Sequence, residues 1–364
     1  MIDAESLIRR DVRGLSAYQP ILPFEVLSRR LGRAPEAIVK LDANENPYGP
    51  LAEVRLALAA LPFAHIYPDP ESTELREALA THTGLPVGNL LAGAGADELI
   101  DLVMLLFLEP GDAVVSCPPT FGMYAFDAGL HRARVVNVRR RADFSLDLDE
   151  LERVVRAERP KLLCLASPNN PDGSQLPREA LERVLALPVV VLLDEAYVEF
   201  APPGTSRLTE VAQRSNLIVL RTFSKWAGLA GLRVGYGGFP SGLVPHLWKI
   251  KQPYNVSVAA STAAIVSLRH AEKLHAVGER LVAERARLFS GLAAVPFLSP
   301  YPSQSNFILC RVVGREARAL KEGLAARGVL VRYFDTAGLT DHVRVSVGKP
   351  EHTDALLAAL AALE

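Results

Sequence analysis

Residues 217–225 read Leu-Ile-Val-Leu-Arg-Thr-Phe-Ser-Lys, an apolar run that ends in hydroxyl side chains and a lysine. A second apolar run, 189–193, ends at Asp194 in the same way. Continuous Val and Leu runs are typical of strands buried on both faces, as in a parallel sheet covered by helices. Because ligands bind at the carboxyl ends of the strands in such sheets, the two polar ends predict one shared site.

The rest of the chain repeats this alternation of apolar runs and helix-length segments. Further strands are predicted at 113–116, 135–138 and 162–166, and a helix at 99–108. After about Pro253, a long helical stretch (256–292) leads to a second set of elements. That set comprises strands at 306–312, 329–332 and 343–347, and helices at 316–327 and 353–363. We therefore predict an α/β fold: a large domain with a mostly parallel sheet flanked by helices, plus a smaller α/β C-terminal domain joined by the N-terminal segment.

The composition is that of a folded protein with no bias towards a charged partner. The chain has 364 residues, of which 49% are hydrophobic and 22% charged, and its formal net charge is −1. We expect no binding to nucleic acid, and no membrane span because no apolar stretch approaches about 20 residues. Cys117, Cys164 and Cys310 form no CxxC pair, and the histidines form no HxxxH pair, so we expect no metal site and a reducing, cytoplasmic location.

The polar strand ends carry groups that suit an aldehyde cofactor with a phosphate. A lysine held inside a sheet crevice, such as Lys225, can have a lowered pKa and form a Schiff base. Asp194, at the end of an apolar run, needs a cation or a hydrogen-bond donor; the pyridinium nitrogen of pyridoxal phosphate is such a partner, and a helix cap or a structural ion pair is the alternative. Arg233 lies eight residues after Lys225 and can grip a phosphate, with Thr222 and Ser224 as further donors.

Other residues near the predicted edge extend this site. A glycine-containing turn at 93–98 precedes the apolar helix, and a helix N-terminus of this kind can seat a phosphate. The turn lacks the third glycine of a GxGxxG motif, which weakens a dinucleotide interpretation. Phe121 follows another predicted strand and can stack on a flat ring. Tyr197 and Asn170 follow strands that end at the same edge.

Taken in order, these motifs resemble the aspartate-aminotransferase-like, fold type I class of pyridoxal-phosphate enzymes, and within it the histidinol-phosphate aminotransferase family. The resemblance covers nearly the whole chain. Its motifs are 17–20, 42–50, 67–69, 95–98, 119–124, 167–173, 194–197, 222–233, 331–335 and 343–348. With this resemblance, the expected boundaries are 1–45 for the N-terminal arm and part of the small domain, 46–253 for the large cofactor-binding domain, and 254–364 for the small domain.

The resemblance implies a role for each cofactor-contacting residue. Lys225 would hold pyridoxal phosphate as a Schiff base and later move the substrate proton, and Asp194 would keep the pyridine nitrogen protonated. Tyr197 and Asn170 would bond to the phenolic oxygen of the ring, and Phe121 would stack on it. The phosphate would be held by Gly95, Ala96, Asp97, Thr222, Ser224 and Arg233.

The same resemblance implies a homodimer and a substrate site. Tyr67 would reach the cofactor phosphate of the other subunit, so that the dimer shares its active sites. Arg344 would bind the carboxylate of the amino donor and, with Arg332 and Tyr18, the phosphate end of the substrate. Asn46 is also expected in the substrate site.

The implied reaction is transamination of L-histidinol phosphate with 2-oxoglutarate, giving imidazole acetol phosphate and glutamate by ping-pong kinetics. An aromatic-amino-acid aminotransferase or a threonine-phosphate decarboxylase of the same family is the first alternative, and a nucleotide-binding oxidoreductase built on 93–98 is a remote one. Two residues depart from the family pattern: Phe121 stands where many relatives have Tyr, and Asp172 stands where Thr is usual. We expect Asp172 still to cap its turn.

Overall fold

The structure, a computed structural model, describes residues 2–15 and 22–363. In these ranges the strands are β1 (Val39–Leu41), β2 (Leu90–Gly93), β3 (Ala113–Ser116), β4 (Arg134–Asn137), β5 (Leu162–Ala166), β6 (Val190–Asp194), β7 (Leu217–Thr222), β8 (Gly235–Gly238), β9 (Leu298–Pro300), β10 (Phe307–Val312), β11 (Val329–Tyr333) and β12 (His342–Ser346). The helices are α1 (Arg10–Arg13), α2 (Phe24–Leu31), α3 (Ala52–Ala59), α4 (Thr73–Thr83), α5 (Ala96–Phe107), α6 (Met123–Leu130), α7 (Leu148–Glu158), α8 (Arg178–Leu185), α9 (Val244–Ile250), α10 (Val258–Arg269), α11 (Ala271–Ala293), α12 (Ala317–Ala326) and α13 (Pro350–Ala361). Short 3₁₀ helices lie at Ala4–Leu7, Pro35–Ala37, Val87–Asn89, Val198–Phe200, Leu208–Ala212 and Ala230–Leu232.

The larger sheet has the strand order β2-β8-β7-β6-β5-β3-β4. Strands β3 to β7 pair in parallel, and β8 runs antiparallel to both of its neighbours. The prediction of a mostly parallel sheet flanked by helices is therefore confirmed. The register pairs Ala166 with Asp194, and Asp194 with Leu220, so the carboxyl ends of β5, β6 and β7 lie side by side.

Both faces of this sheet are buried, as the continuous apolar runs predict. In β7, Leu217 and Val219 pack into one apolar cluster, whereas Ile218 and Leu220 pack into a second. Successive side chains of a strand point to opposite faces, so the two clusters are the cores on either side of the sheet. Each buried Leu or Val side chain contributes about 1.5–3 kcal/mol relative to an exposed one. None of the described helices is long and apolar enough to cross a membrane.

A smaller sheet has the order β1-β11-β12-β10-β9. Strand β1, near the N-terminus, pairs in parallel with β11, and the other pairs are antiparallel. Arg332 on β11 lies directly opposite Arg344 on β12. The division of the chain at residues 45 and 253 stays a prediction.

The fold differs from the sequence predictions in several features; the short strands β1, β2 and β9, for example, have no counterpart among the predicted strands. The single helical stretch predicted at 256–292 is two helices, because His270 leaves the helical conformation with φ −121° and ψ 35°. Strand β8 was not predicted, since three of its four residues are glycine, which weakens strand propensity. Its glycines permit close packing: a Cβ on Gly237 would lie 2.6 Å from the Phe239 ring. The other predicted elements are present, with ends shifted by at most three residues.

Candidate active site

The carboxyl ends of β5, β6 and β7 open into a cavity of about 530 Å³. The last residue of each of these strands, Ala166, Asp194 and Thr222, lies in its wall. The cavity brings together twelve of the residues predicted for the site. They are Ala96, Asp97, Phe121, Asn170, Asp194, Tyr197, Thr222, Ser224, Lys225, Arg233, Arg332 and Arg344.

Lys225 is the third residue after β7, following Phe223 and Ser224. Its Nζ donates a hydrogen bond to the carbonyl oxygen of Ala43 at 3.3 Å and lies 6.0 Å from the centre of the Tyr197 ring. Burial, with the positive charge of Arg344 as a further cause, lowers the pKa of the Lys225 ammonium to about 8. At pH 7 about a tenth of the amine is therefore unprotonated, far more than for an ordinary lysine, and the unprotonated form is the one that a nucleophile or a base requires.

Asp194 is a buried carboxylate at the end of β6. Its Oδ2 accepts a hydrogen bond from the hydroxyl of Tyr124 at 2.7 Å, and its Oδ1 accepts one from the Ala196 N–H at 3.0 Å. Burial raises the pKa of Asp194 to about 6, and the Tyr124 hydrogen bond opposes that rise. A carboxylate that is costly to ionise without a partner suits a cation placed in the cavity.

One end of the cavity is a cluster of anion-binding groups around the N-terminus of α5. Gly95 precedes the helix with φ +88°, and a Cβ there would lie 2.5 Å from Arg233 Nη2. Arg233 donates to Asp97 Oδ2 at 2.8 Å and to Ser224 Oγ at 3.4 Å, and Thr222 Oγ1 donates to Ser224 Oγ at 2.9 Å. Helix N–H groups, hydroxyls and a guanidinium together form a phosphate site.

The opposite wall links the two sheets through Arg344. Its Nη1 donates to Asn170 Oδ1 at 2.5 Å, and its Nη2 donates to the carbonyl oxygen of Asp42 at 3.0 Å. Asn44 Nδ2 donates to the Tyr197 hydroxyl oxygen at 3.1 Å. With its Oδ1 taken by Arg344, Asn170 has its amide N–H groups to offer to an anionic oxygen.

The two departures from the family pattern are accommodated. Phe121 lines the cavity and packs edge-on against Tyr124, with ring centres 5.6 Å apart. Its ring can stack on a ligand, but it has no hydroxyl to donate. Asp172 Oδ2 accepts a hydrogen bond from the Ser174 N–H at 2.9 Å, which is the turn cap expected of it.

Four predicted residues lie away from the wall of the cavity or outside the described part of the chain. Gly95 has no side chain and packs against the Arg233 guanidinium, and it is not among the residues that line the cavity. Asn46 is buried among backbone partners: its Nδ2 donates to the Trp226 carbonyl at 2.8 Å, so the structure does not bring it to the cavity. Tyr67 is 79% exposed and stacks on Tyr254. Tyr18 lies outside the described residues.

Two residues of the site were missed by the sequence interpretation. Tyr124 stands in the 119–124 motif, three residues after Phe121 and in the first turn of α6. Asn44 stands in the 42–50 motif and lines the cavity with a positive φ of 56°. Each of them is recognised as a site residue by its buried hydrogen bond to a polar residue that is distant in sequence. No local sequence pattern reveals such a bond.

These groups fit pyridoxal phosphate. The cluster at α5 suits its phosphate, Asp194 suits a protonated ring nitrogen, and Lys225 suits its aldehyde. Tyr197 and Asn170 offer donors for an anionic ring oxygen. Within the described ranges, no group of three His, Cys, Asp or Glu residues is arranged to hold a metal ion.

Comparison with known proteins identifies the family of the chain. The family model for aminotransferase class I and II matches residues 36–361. A histidinol-phosphate aminotransferase of Nicotiana plumbaginifolia, described as chloroplastic, is 58% identical over 99% of this chain and 87% of its own length. The histidinol-phosphate aminotransferase of Roseiflexus castenholzii is 51% identical over 97% of both chains.

A solved structure shows the same fold. The crystal structure of histidinol-phosphate aminotransferase from Sinorhizobium meliloti, in complex with pyridoxal-5'-phosphate, superimposes with a TM-score of 0.90 at 31% identity and covers 99% of each chain. The chain therefore belongs to the class I and II aminotransferases and, within them, to the histidinol-phosphate aminotransferase family.

Proposed function

We propose that the protein uses pyridoxal phosphate to transfer the amino group of L-histidinol phosphate to 2-oxoglutarate, giving imidazole acetol phosphate and glutamate. The observation that carries this proposal is the pair Arg332 and Arg344. They lie directly opposite each other on neighbouring strands and line the cavity that also contains Lys225 and Asp194. Two guanidinium groups at one end of a cofactor cavity suit a substrate with a strongly anionic group. The names of the similar proteins supply the specific substrate.

The roles of the residues follow from their positions. When bound, pyridoxal phosphate supplies an electron sink that makes the substrate Cα–H acidic enough to break. Asp194 would hold its negative charge against the ring nitrogen of the bound cofactor. Lys225, with its lowered pKa, takes the Cα proton and returns it as a general base and acid. Arg344 and Arg332 bind the anionic groups of the substrates. Because the amino donor and the 2-oxo acid need the same cations, one site serves both in turn, which predicts ping-pong kinetics.

Two measurements test this function. We expect the specificity constant, kcat/KM, for histidinol phosphate to exceed that for phenylalanine, and double-reciprocal plots at several 2-oxoglutarate concentrations to be parallel. A higher kcat/KM for phenylalanine would favour an aromatic-amino-acid aminotransferase. Release of carbon dioxide from threonine phosphate would favour the decarboxylase. Intersecting lines would rule out the ping-pong scheme.

The nucleotide-binding alternative has little support in the geometry. The turn at 93–98 leads into α5, whose first residues lie against Arg233 in the same cavity as Lys225. An oxidoreductase would leave Lys225 and Asp194 without a task. Oxidation of NADH by the purified protein in the presence of a 2-oxo acid, without pyridoxal phosphate, would revive this alternative.

We propose further that the protein is a homodimer with shared active sites. Phe63, Ile66 and Tyr67 lie within five residues, and they and Tyr254 are all more than two-fifths exposed. Large apolar side chains exposed together are typical of a surface that another chain covers. Sedimentation velocity is expected to give a mass of twice 39.4 kDa. A monomer at micromolar concentration would contradict the proposal.

We propose a cytoplasmic location. Cys117, Cys164 and Cys310 are free and buried, which suits a reducing compartment. The Nicotiana relative is described as chloroplastic, so a plastid is the competing location. Fractionation of the source cells, probed with an antibody to this chain, distinguishes the two.

A further inference from the structure

The side chain of Phe334 contacts both arginines of the cavity. The Cζ atom of Arg332 lies 5.7 Å from the centre of its ring, and that of Arg344 lies 5.5 Å from it. All three residues line the cavity. Guanidinium groups within about 6 Å of an aromatic ring are attracted by its quadrupole. The ring is therefore a shared partner of two cations that belong to different strands.

The two arginines need such a partner because they face each other across a strand pair. Arg332 and Arg344 are direct cross-strand neighbours, and like charges in that position are destabilising. Arg344 is also held by hydrogen bonds to Asn170 and Asp42, and by the Phe307 ring 5.0 Å away. For Arg332, no side-chain hydrogen bond or ion pair to the described residues is found, which leaves the Phe334 ring as the contact that positions it.

An aromatic partner differs from a carboxylate in its effect on an incoming anion. A carboxylate beside Arg332 would neutralise the guanidinium, occupy its N–H donors and repel an anionic substrate. A ring attracts the cation through its face and carries no net charge. The N–H edges of the guanidinium then stay available for a planar, bidentate contact with phosphate oxygens.

We propose that Phe334 is a positioning residue that holds Arg332 and Arg344 together as one binding site for the phosphate group of the substrate. This inference rests on the proposed function for the identity of the substrate. Its geometric part, a site for a phosphate dianion between the two arginines, stands without it and can be measured without turnover.

The test compares Phe334→Leu with Phe334→Tyr and with Phe144→Leu. Phe144 belongs to the same apolar cluster as Phe334, and its ring contacts are with Tyr301 and His342. The probe is inorganic phosphate, titrated by calorimetry into protein already loaded with pyridoxal phosphate, so that the cofactor phosphate site is filled. The KM and kcat for histidinol phosphate are measured alongside. Phe334→Met serves as the second truncation if the Leu variant does not fold.

Loss of the ring is expected to weaken phosphate binding about five- to thirty-fold, from two cation–π contacts. The KM for histidinol phosphate should rise by a similar factor, with kcat within about two-fold. Phe334→Tyr keeps the ring and should bind phosphate within about two-fold of the wild type, as should Phe144→Leu. Equal phosphate affinity in the wild type and Phe334→Leu would overturn the inference, and so would an equal loss in Phe334→Tyr or Phe144→Leu. If the wild type binds phosphate but does not turn over histidinol phosphate, the proposed function fails and the role of Phe334 is still decided by the phosphate titration.

Discussion

At the scale of single residues, Asp194 depends on Tyr124. The phenol is fully buried, and burial raises its pKa well above the usual value, so it stays protonated and donates to Asp194 Oδ2. A hydrogen bond to the ionised form of a carboxyl lowers its pKa. Tyr124 therefore limits the rise that burial causes in the pKa of Asp194, which is about 6. The carboxylate can then remain ionised at neutral pH, where it is needed.

The variant Tyr124→Phe tests this dependence. Below its pKa, Asp194 is neutral and cannot hold a protonated ring nitrogen, so affinity for pyridoxal phosphate should fall as the pH drops through about 6. Without the hydroxyl the pKa of Asp194 rises, and the loss of affinity should begin about one pH unit higher. Fluorescence titration with pyridoxal phosphate between pH 5 and 8 measures this shift. Tyr301→Phe, which removes a hydroxyl outside the cavity wall, is the control; an unchanged profile in Tyr124→Phe would refute the role.

At the scale of elements, the N-terminus of α5 depends on a glycine. Gly95 has φ +88°, which is strained for other residues, and a Cβ would lie 2.5 Å from Arg233 Nη2. Gly95→Ala should therefore displace the guanidinium and weaken pyridoxal phosphate binding by at least about ten-fold, since one charge-assisted hydrogen bond is worth about 1.5–3 kcal/mol.

A matched control is a second glycine close to Arg233 in the chain. A Cβ on Gly231, two residues before Arg233, would meet no atom within 4 Å. Gly231→Ala is expected to bind pyridoxal phosphate within about two-fold of the wild type. Equal dissociation constants for wild type and Gly95→Ala, measured by equilibrium dialysis, would show that the close approach to Arg233 is unimportant.

The same element scale shows what a sequence can and cannot predict about this fold. The strands β5, β6 and β7 were predictable because burial on both faces demands uninterrupted apolar runs. Strand β8 was not, since its glycines are there for close packing against Phe239 and Leu208, neighbours that only the folded chain reveals. The break at His270 also escaped prediction, because apolar periodicity continues on both sides of it.

The candidate site divides in the same way. Lys225 and Asp194 were predictable because each is an ionisable group at the end of a buried strand, where burying a charge is costly unless a partner compensates it. Arg233 was predictable from its position eight residues after Lys225, beside glycines that let a phosphate approach closely. Tyr124 and Asn44 were not recognised, because their partners, Asp194 and Tyr197, are distant in sequence.

At the scale of the whole molecule, stability is linked to pH through Glu199. Its carboxyl lies 4.0 Å from Arg221, and neither of its oxygens has a hydrogen-bond partner among the described residues. Burial raises the pKa of Glu199 to about 7 despite Arg221. The folded protein thus holds a proton that the unfolded chain releases above about pH 4.3. The contribution of this proton to the free energy of unfolding is fully present below about pH 4.3 and is lost as the pH rises through 7.

Glu199→Gln mimics the protonated form at every pH. The variant should match the wild type at pH 4.5 and be more stable by ~3 kcal/mol at pH 8. Urea unfolding at the two pH values provides the measurement, with the exposed Glu279→Gln as the control. A variant less stable than the wild type at pH 8 would mean that the ionised Glu199 stabilises Arg221 by more than its burial costs.

The shared dimer site makes a prediction about mixtures. A Lys225→Ala homodimer lacks the amine in both sites, and a Tyr67→Ala homodimer lacks the proposed contact from the partner in both. Exchange of subunits between the two creates mixed dimers in which one site is intact. Mixing should therefore restore up to about a quarter of wild-type activity. Activity that equals the mean of the two separate variants would contradict a site built from both subunits.

The most direct test of the whole account is to find where pyridoxal phosphate attaches. The protein is loaded with pyridoxal phosphate, reduced with borohydride, digested and analysed by mass spectrometry, alongside Lys225→Ala. We predict that the reduced cofactor is carried by Lys225 in the wild type and by no lysine in the variant. Attachment to another lysine, or stoichiometric labelling of Lys225→Ala, would contradict the central claim.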